Sequence, residues 1–430
     1  MANGLIIAAP RSGSGKTTVT LGLLAALRAR GIAVAPAKTG PDYIDRAILA
    51  RAAGSEAINL DPWAMSPDRL RALAQGHAAG ADLLLVEGVM GLFDGATDGI
   101  GSTGDLAATL GLPVILVVDA EKQGQSIAAL VQGFARFRPG VEIAGLILNR
   151  VATTRHERLL VAALEPLGIP VLGVLPRRDT LALPDRHLGL VLPDEIAVFD
   201  AVVAAAAAAI EEFIDLNRLL SLSSNLPSQK AIRFVPFLPL GQRIAIARDA
   251  AFAFLYTHWL SDWRDQGAEL TFFSPVANES APMNSDAIFL PGGYPELHAA
   301  ALAAADHFHA GLHAARDRGA LIYGECGGYM VLGETLTDKS GTSCPMAGLL
   351  PVRTDISRPR RTLGYRRLRH TSPLPWPAHL TGHEFHYSSS RDNPATPLFE
   401  ATDALGGRLP PMGSVVGRVM GSYAHVIDMA

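Results

Sequence analysis

Two short stretches, one near each end of the chain, have residue types and spacing suited to chemistry. Ser12-Gly13-Ser14-Gly15-Lys16-Thr17-Thr18 follows an apolar run and has the form of a phosphate loop. Backbone N–H groups from Gly13 to Thr17 can cradle phosphate oxygens, and a helix starting there adds the positive end of its dipole. Lys16 would then meet the β- and γ-phosphates, and the Thr17 hydroxyl would complete a Mg²⁺ shell, with Thr18 beside them. The first glycine of the usual G-x-x-x-x-G-K-[ST] pattern is replaced by Pro10. Near the other end, Tyr323-Gly324-Glu325-Cys326-Gly327-Gly328 follows a second apolar run and reads as a cysteine nucleophile on a sharp strand-to-helix turn. Such a turn needs small neighbours, because the backbone is strained and the approach must stay open. A helix N-terminus there is expected to lower the thiol pKa.

Further candidates fall at the ends of expected strands. Mg²⁺ takes oxygen ligands and shares them with the nucleotide. Asp42 in Lys38-Thr39-Gly40-Pro41-Asp42-Tyr43-Ile44-Asp45 and Glu87 in Val86-Glu87-Gly88 are placed to supply them. Lys38 could hold a substrate carboxylate or a phosphoryl group in transfer, and Asn149 could read the adenine edge. Singly, each acid is equally a solvated loop charge or a helix cap. Together, at the tips of consecutive parallel strands beside a phosphate loop, they favour function. In the second half, Pro291-Gly292-Gly293-Tyr294-Pro295-Glu296 follows a strand, and the N–H groups of Gly292 and Gly293 suit an oxyanion hole. His425, in Gly421-Ser422-Tyr423-Ala424-His425, is the candidate base, although a lone histidine is more often structural.

Other reactive side chains carry blander readings. Cys344 has no comparable frame and reads as structural. The arginines of residues 353–367 read as a solvated loop rather than a carboxylate clamp. His383 and His386, with two cysteines and no C-x-x-C spacing, give no zinc site.

The elements that must position these residues follow from hydrophobic period. Residues 5–9, 33–38, 82–87, 114–119 and 144–149 are short apolar runs bounded by Gly, Pro or Asp, and helical spacing covers 17–30 and 66–79 between them. That alternation predicts an α/β fold with a mostly parallel sheet, which binds ligands at the carboxyl ends of its strands. After an alanine-rich helix at about 195–214, a linker is expected at 221–241, dividing the chain into domains at 1–220 and 242–430. The second domain continues in α/β style, with strands expected at 243–247, 270–273, 287–290, 321–323, 385–387 and 415–420.

Composition narrows the class. At 430 residues, two cores are the natural expectation. Hydrophobic residues make up 49% and charged residues 18%, which argues for large, well-buried cores and against disorder. A net charge of -4 offers no basic face for nucleic acid. Two cysteines suit a reducing compartment, and no apolar run is long enough to span a bilayer, so a cytoplasmic protein without a membrane partner is expected.

A chain that spends ATP in one half and attacks a carbonyl with a thiolate in the other looks like a glutamine-dependent amide synthase. Residues 38–45, Asn59-Leu60-Asp61-Pro62-Trp63, residues 86–95 and Gly101-Ser102-Thr103-Gly104-Asp105-Leu106-Ala107 make the likeness specific. They resemble those of the cobyrinic and hydrogenobyrinic acid a,c-diamide synthases, whose N-terminal, P-loop NTPase-like domain is similar to dethiobiotin synthetase. The resemblance implies that Thr17, Asp42 and Glu87 bind Mg²⁺. It also implies that Asp42, Tyr43, Asp45, Glu87 and Asp94 shape the site where a corrinoid carboxylate is phosphorylated and aminated.

The second half resembles the cobyrinic-type branch of the class I glutamine amidotransferases, through Ala247-Arg248-Asp249-Ala250-Ala251-Phe252, residues 290–296 and 324–328, Thr381-Gly382-His383-Glu384-Phe385-His386-Tyr387 and residues 421–425. Most class I enzymes carry an acid two positions after the histidine. Here that position is Ile427 and the next acid is Asp428, so the branch implies a Cys326–His425 dyad, with Glu384 as an alternative third member. The implied partners are Mg²⁺, ATP and L-glutamine as co-substrates, a corrinoid polycarboxylate and a second copy of the chain. Cobyric acid synthase and nickel sirohydrochlorin a,c-diamide synthase share both motifs, and an ATP-driven partition-type switch is the alternative from another class. Residues alone do not separate metal-free hydrogenobyrinic acid from cobalt-containing cobyrinic acid; overall resemblance leans to the former.

Overall fold

The computed structural model describes residues 2–178, 199–226, 235–391 and 395–430. It divides into two compact units, Met1–Phe234 and Val235–Ala430.

The first unit is built on a sheet whose central strand, β1 (Asn3–Ala8), is buried from Gly4 onward and carries Leu5, Ile6 and Ile7 into the core. It leads through the phosphate loop into α1 (Lys16–Ala29). There follow β2 (Val34–Thr39), α2 (Tyr43–Ala53), β3 (Ile58–Leu60), α3 (Pro67–His77), β4 (Leu83–Glu87), α4 (Thr103–Leu110) and β5 (Val114–Asp119). The series continues with α5 (Ile127–Phe137), β6 (Ile143–Val151), α6 (Thr154–Leu164), β7 (Val171–Pro176), α7 (Phe199–Phe213) and α8 (Leu216–Ser221). Seven of these strands pair in parallel in the order β3-β2-β4-β1-β5-β6-β7. The order reverses direction at β1, where the strand tips open a crevice and ligands of such sheets bind.

Local signals start the helices that border this crevice. Asp42 caps α2 by accepting from the N–H groups of Ile44 and Asp45, and Ser102 with Asp105 forms a capping box on α4. The strands and helices expected here are present, with β6 extending to Val151. The first part of the expected alanine-rich helix, 195–198, lies outside the described residues. Part of the expected linker is structured: β8 (Ser224–Asn225) pairs antiparallel with β1.

The second unit opens with β9 (Arg243–Ala247), α9 (Thr257–Asp265), β10 (Glu269–Phe273), β11 (Ala287–Leu290), α10 (Ala299–Ala303), α11 (Asp306–Asp317), β12 (Leu321–Glu325) and α12 (Gly327–Leu332). Ten short strands follow: β13 (Thr335–Thr337), β14 (Ser343–Pro345), β15 (Arg353–Asp355), β16 (Thr362–Arg369), β17 (His379–His386), β18 (Ser389–Arg391), β19 (Glu400–Thr402), β20 (Ser414–Val416), β21 (Val419–Ser422) and β22 (His425–Met429). The main sheet runs β10-β9-β11-β12-β21-β20; two smaller sheets run β14-β13-β15-β18 and β19-β16-β17-β22.

Two expectations need correction here. The strand at 385–387 is the end of β17, which pairs along its whole length with β16 in a ladder from Thr362–His386 to Arg369–His379. Its polar, histidine-rich sequence hides the strand because its partners, not its hydrophobicity, hold it. The run 415–420 is two strands, β20 and β21, because Gly417 takes φ 62 and folds them into a tight hairpin.

Candidate active sites

In the first unit, α1 begins at Lys16 directly after Gly15, whose φ of 90 suits glycine. A Cβ there would fall 2.1 Å from Asn149 Nδ2. Asn149, at the tip of β6, donates from that Nδ2 to the Ser14 carbonyl at 2.9 Å and so braces the loop. Gly13, Gly15, Lys16, Thr17, Thr18 and Asn149 together line a cavity of about 590 Å³. Leu175, Pro176 and Ile210 give it apolar walls, and Glu121 and Arg177 join its rim. A phosphate cradle opening onto a partly apolar recess is what a nucleotide requires.

Beneath the loop lies a buried charge cluster. Lys38 on β2 and Glu87 on β4 are register partners, and Lys38 Nζ donates to Glu87 Oε1 at 2.8 Å. Lys38 also pairs with Asp45 Oδ2 at 2.8 Å and donates to the Gly88 carbonyl at 3.2 Å. Burial disfavours the Lys38 ammonium, but Asp45 and Glu87 outweigh it and hold the group above the usual lysine range. These contacts match its three donors, so in this structure Lys38 ties the two acids together. Lys16 donates to the Met90 carbonyl at 3.1 Å, and burial, then the Lys38 charge, lower its pKa.

Thr17 Oγ1 donates to Glu87 Oε1 at 2.8 Å, while Glu87 Oε2 is buried without a hydrogen-bond partner. An orphaned carboxylate oxygen beside the phosphate-loop threonine fits a hard cation. Asp42 sits at the same strand edge, with Oδ1 committed to the α2 cap, and Tyr43 and Asp45 follow in the first turn. Asp94 accepts the Gly91 N–H at 2.9 Å and shapes the loop after β4.

Sequence reading missed Asp119, Arg150 and Arg11. Asp119, the last residue of β5, accepts from Arg150 Nη1 at 2.8 Å and from Arg11 Nη2 at 3.3 Å. Arg150 also donates to the Gly13 carbonyl at 2.9 Å. The available signal was an acid closing a strand next to β1.

In the second unit, Cys326 stands between β12 and α12 with φ 46 and ψ −103, a strained conformation for a residue with a Cβ. Its N–H donates to the Ser422 carbonyl at 2.8 Å, and the side chain is buried. Burial first, and the nearby Glu296 carboxylate second, push the thiol up rather than down. The direction is opposite to that expected of a thiol at a helix N-terminus, because desolvation is the largest influence on this buried group and α12 has only six residues. Burial itself raises Glu296 to about 6.

His425 opens β22 and is buried; burial, then the neighbouring His383 and His386, push it well below the ordinary imidazole range. A neutral imidazole is the form that accepts a proton. His383 stacks on it at 5.0 Å between ring centroids. The Gly292 loop closes against the same ring, since a Cβ at Gly292 would fall 2.4 Å from His425 Cε1. Gly293 N lies 3.1 Å from where a Cβ on Gly327 would stand, so this loop also touches the cysteine turn. The Gly292–Gly293 loop thus meets the His425 ring on one side and the glycine after Cys326 on the other.

The remaining residues sort differently. Glu384 pairs with Arg366 Nε at 2.6 Å and lies 3.4 Å from His386 Nε2. Arg366 is therefore buried in a strand, not solvated in a loop. Cys344 lies in β14, paired with Leu336. Among the described residues, no three His, Cys, Asp or Glu side chains are grouped to hold a metal, and no helix is long and apolar enough to cross a membrane.

A parallel sheet with a phosphate loop, joined in one chain to a cysteine–histidine unit, defines a nucleotide-dependent glutamine amidotransferase. Two family models divide the chain accordingly: the CobQ/CobB/MinD/ParA nucleotide binding domain over residues 5–191, and the CobB/CobQ-like glutamine amidotransferase domain over 243–429. The chain is 54% identical over 428 residues to the hydrogenobyrinate a,c-diamide synthase of Brucella anthropi, covering 99% of this chain and 98% of that protein. Those of Rhizobium meliloti and Rhodobacter capsulatus are 50% and 49% identical, again over 98% or more of both chains. The chain belongs to the hydrogenobyrinate a,c-diamide synthase family, glutamine-dependent amide-forming ligases.

Proposed function

We propose that the protein converts the a and c side-chain carboxylates of hydrogenobyrinic acid to amides in cobalamin biosynthesis, with ATP and L-glutamine. The observation that carries this reading is the pairing, in one chain, of the braced phosphate loop with the Cys326–His425 site.

In the glutaminase unit, His425 takes the Cys326 proton as sulfur attacks the glutamine side-chain carbonyl. Gly292 and Gly293 face the developing oxyanion. The amide nitrogen takes that proton and leaves as ammonia, and water then releases glutamate from the thioester. In the other unit, Gly13 to Thr18 hold the triphosphate and Lys16 neutralises its β- and γ-groups. A carboxylate oxygen of the macrocycle attacks the γ-phosphorus, ADP leaves, and ammonia displaces phosphate from the acyl phosphate. Lys38 holds Glu87 and Asp45 in place, with Asp42, Tyr43 and Asp94 bordering the acceptor carboxylate. Asn149 keeps the loop in register and lines the recess for the base. Thr17, Glu87 and Asp42 would hold Mg²⁺, whose charge offsets that of the transferring phosphoryl group.

The test is turnover with ATP, Mg²⁺ and glutamine on hydrogenobyrinic acid beside cobyrinic acid, read by mass spectrometry. Two OH-to-NH₂ exchanges on the metal-free ring are expected. Faster reaction of the cobalt ring would move the substrate to cobyrinic acid, and no reaction of either would move it to sirohydrochlorin or another polycarboxylate. The proposed setting is the cytoplasm and the proposed assembly a homodimer, which light scattering of the full chain tests.

A further inference from the structure

The backbone explains how the position usually given to a third catalytic acid is used here. Pairing of β17 with β22 steps from Thr381–Asp428 to Gly382–Val426, which leaves Ile427 as the extra residue of a β-bulge. Its carbonyl turns away from the ladder and accepts from His258 Nε2 at 2.9 Å and Trp259 Nε1 at 3.1 Å on α9. Ile427 thus anchors the strand. Glu384, the acid nearby in sequence to His383, is committed to Arg366 and His386.

A different carboxylate reaches the base. Glu325, the residue before the nucleophile, accepts on Oε1 from the Val426 N–H at 3.0 Å and from the Tyr323 hydroxyl at 2.9 Å. Its Oε2 lies 3.9 Å from His425 Nδ1, with both side chains almost wholly buried. The carboxyl group of the residue before Cys326 is therefore tied to the residue after His425, and its second oxygen stands 3.9 Å from the imidazole, an electrostatic contact rather than a hydrogen bond.

We infer that Glu325, when ionised, is the positioning carboxylate of the glutaminase, favouring the His425 tautomer with Nδ1 protonated so that Nε2 is the acceptor for the Cys326 proton. A histidine general base needs this tautomer, and a carboxylate at Nδ1 is the usual means of selecting it. The acid stands on the strand of the nucleophile instead of the strand of the base. No proton leaves Glu325 in the reaction; the proton taken from sulfur at Nε2 is the one passed to ammonia. The inference rests on Cys326 and His425 being nucleophile and base.

The test uses the full-length chain and compares wild type with Glu325→Gln. The glutamine keeps an acceptor oxygen for Val426 and Tyr323 but places an NH₂ group where Oε2 faced Nδ1, which selects the opposite tautomer. Assays run on the alkaline side of about 8, the value to which burial raises Glu325, so that wild type carries a carboxylate there. Expected is a fall in glutaminase kcat on the order of 10²-fold with KM for glutamine changed less than about twofold. The rate of Cys326 alkylation by iodoacetamide, which needs no bound substrate, should fall in parallel. The inference is overturned if both rates stay within about twofold of wild type, or if KM alone rises while alkylation is unchanged. Should Glu325→Gln fail to fold, Glu325→Asp, which withdraws the carboxylate by one methylene, carries the same comparison. Peptide mapping of the alkylated wild-type protein separates the two readings: label absent from Cys326 overturns the nucleophile assignment, not the role of Glu325.

Discussion

Lys38 and Glu87 face each other across two adjacent parallel strands, and their side chains close a buried ion pair of 2.8 Å under the phosphate loop. The Thr17 hydroxyl donates to the same Glu87 oxygen, so one carboxylate joins the loop to the strand tips. Glu87→Gln leaves the buried lysine short of charge and should destabilise the first unit by about 3–5 kcal/mol. It should also raise the Mg²⁺ needed for half-maximal ammonia-driven synthesis at least about tenfold. Thermal unfolding and a Mg²⁺ titration measure the two effects separately.

The two chemistries should come apart by mutation. Cys326→Ala is expected to abolish glutamine-dependent synthesis while synthesis from high concentrations of ammonia continues. Lys16→Ala should impair both, because ATP serves either nitrogen source. Product analysis with each donor checks this, and glutamine-dependent product from the Cys326→Ala protein would refute the nucleophile.

Gly292→Ala brings a methyl group to 2.4 Å from His425 Cε1 and must displace the ring. A shift of about 1 Å in a catalytic group can cost on the order of 10²-fold. Glutaminase kcat should therefore drop by that order with glutamine KM little altered, as initial-rate kinetics will tell.

Asn149→Ala removes the hydrogen bond to the Ser14 carbonyl. A bond of this kind contributes about 1 kcal/mol net, so KM for ATP should rise about fivefold. Isothermal titration with ATP is the direct measurement, and an unchanged affinity would mean that the loop holds its shape without the brace.

Stability of the second unit should vary with pH in a defined sense. His383 is pushed by burial to about 3 and His425 well below its ordinary 6.5, so the unfolded chain takes up protons that the folded one refuses as pH falls through 6.5. That destabilises the fold in acid. Glu325 and Glu296 act oppositely: burial raises them from 4.5 to about 8 and about 6, so the fold is disfavoured as pH rises through those windows. The two effects offset one another between 4.5 and 6.5. Below 4.5 the histidines prevail; above 6.5 only Glu325 remains, and stability declines towards pH 8. Denaturant midpoints followed by the fluorescence of Trp259, Trp263 and Trp376 should show this plateau with two falling sides. Glu325→Gln should remove the alkaline decline.

Much of the molecule was legible before its fold was known. The phosphate loop, the cysteine turn and the parallel strands of the first unit depend on local sequence: small residues for positive φ, apolar runs between turn signals, and an acid at a helix cap. Asp42, Glu87, Lys38 and Asn149 could be named because strand tips of a parallel sheet converge. The strands β16, β17 and β22 could not be delimited, since their stability comes from cross-strand partners far apart in the chain.

Residue types and spacing pointed to the two chemistries and the division of labour between the halves, and singled out Cys326, His425, Lys16 and Thr17 as the residues proposed to carry them. Tertiary structure alone decided how those groups are tuned. It saturates Lys38 with Glu87 and Asp45, leaves Glu87 Oε2 without a partner, raises the Cys326 thiol by burial and brings Glu325 rather than Glu384 to the Nδ1 side of His425. Burial and the approach of charges across distant strands shift pKa values, and neither is local in sequence.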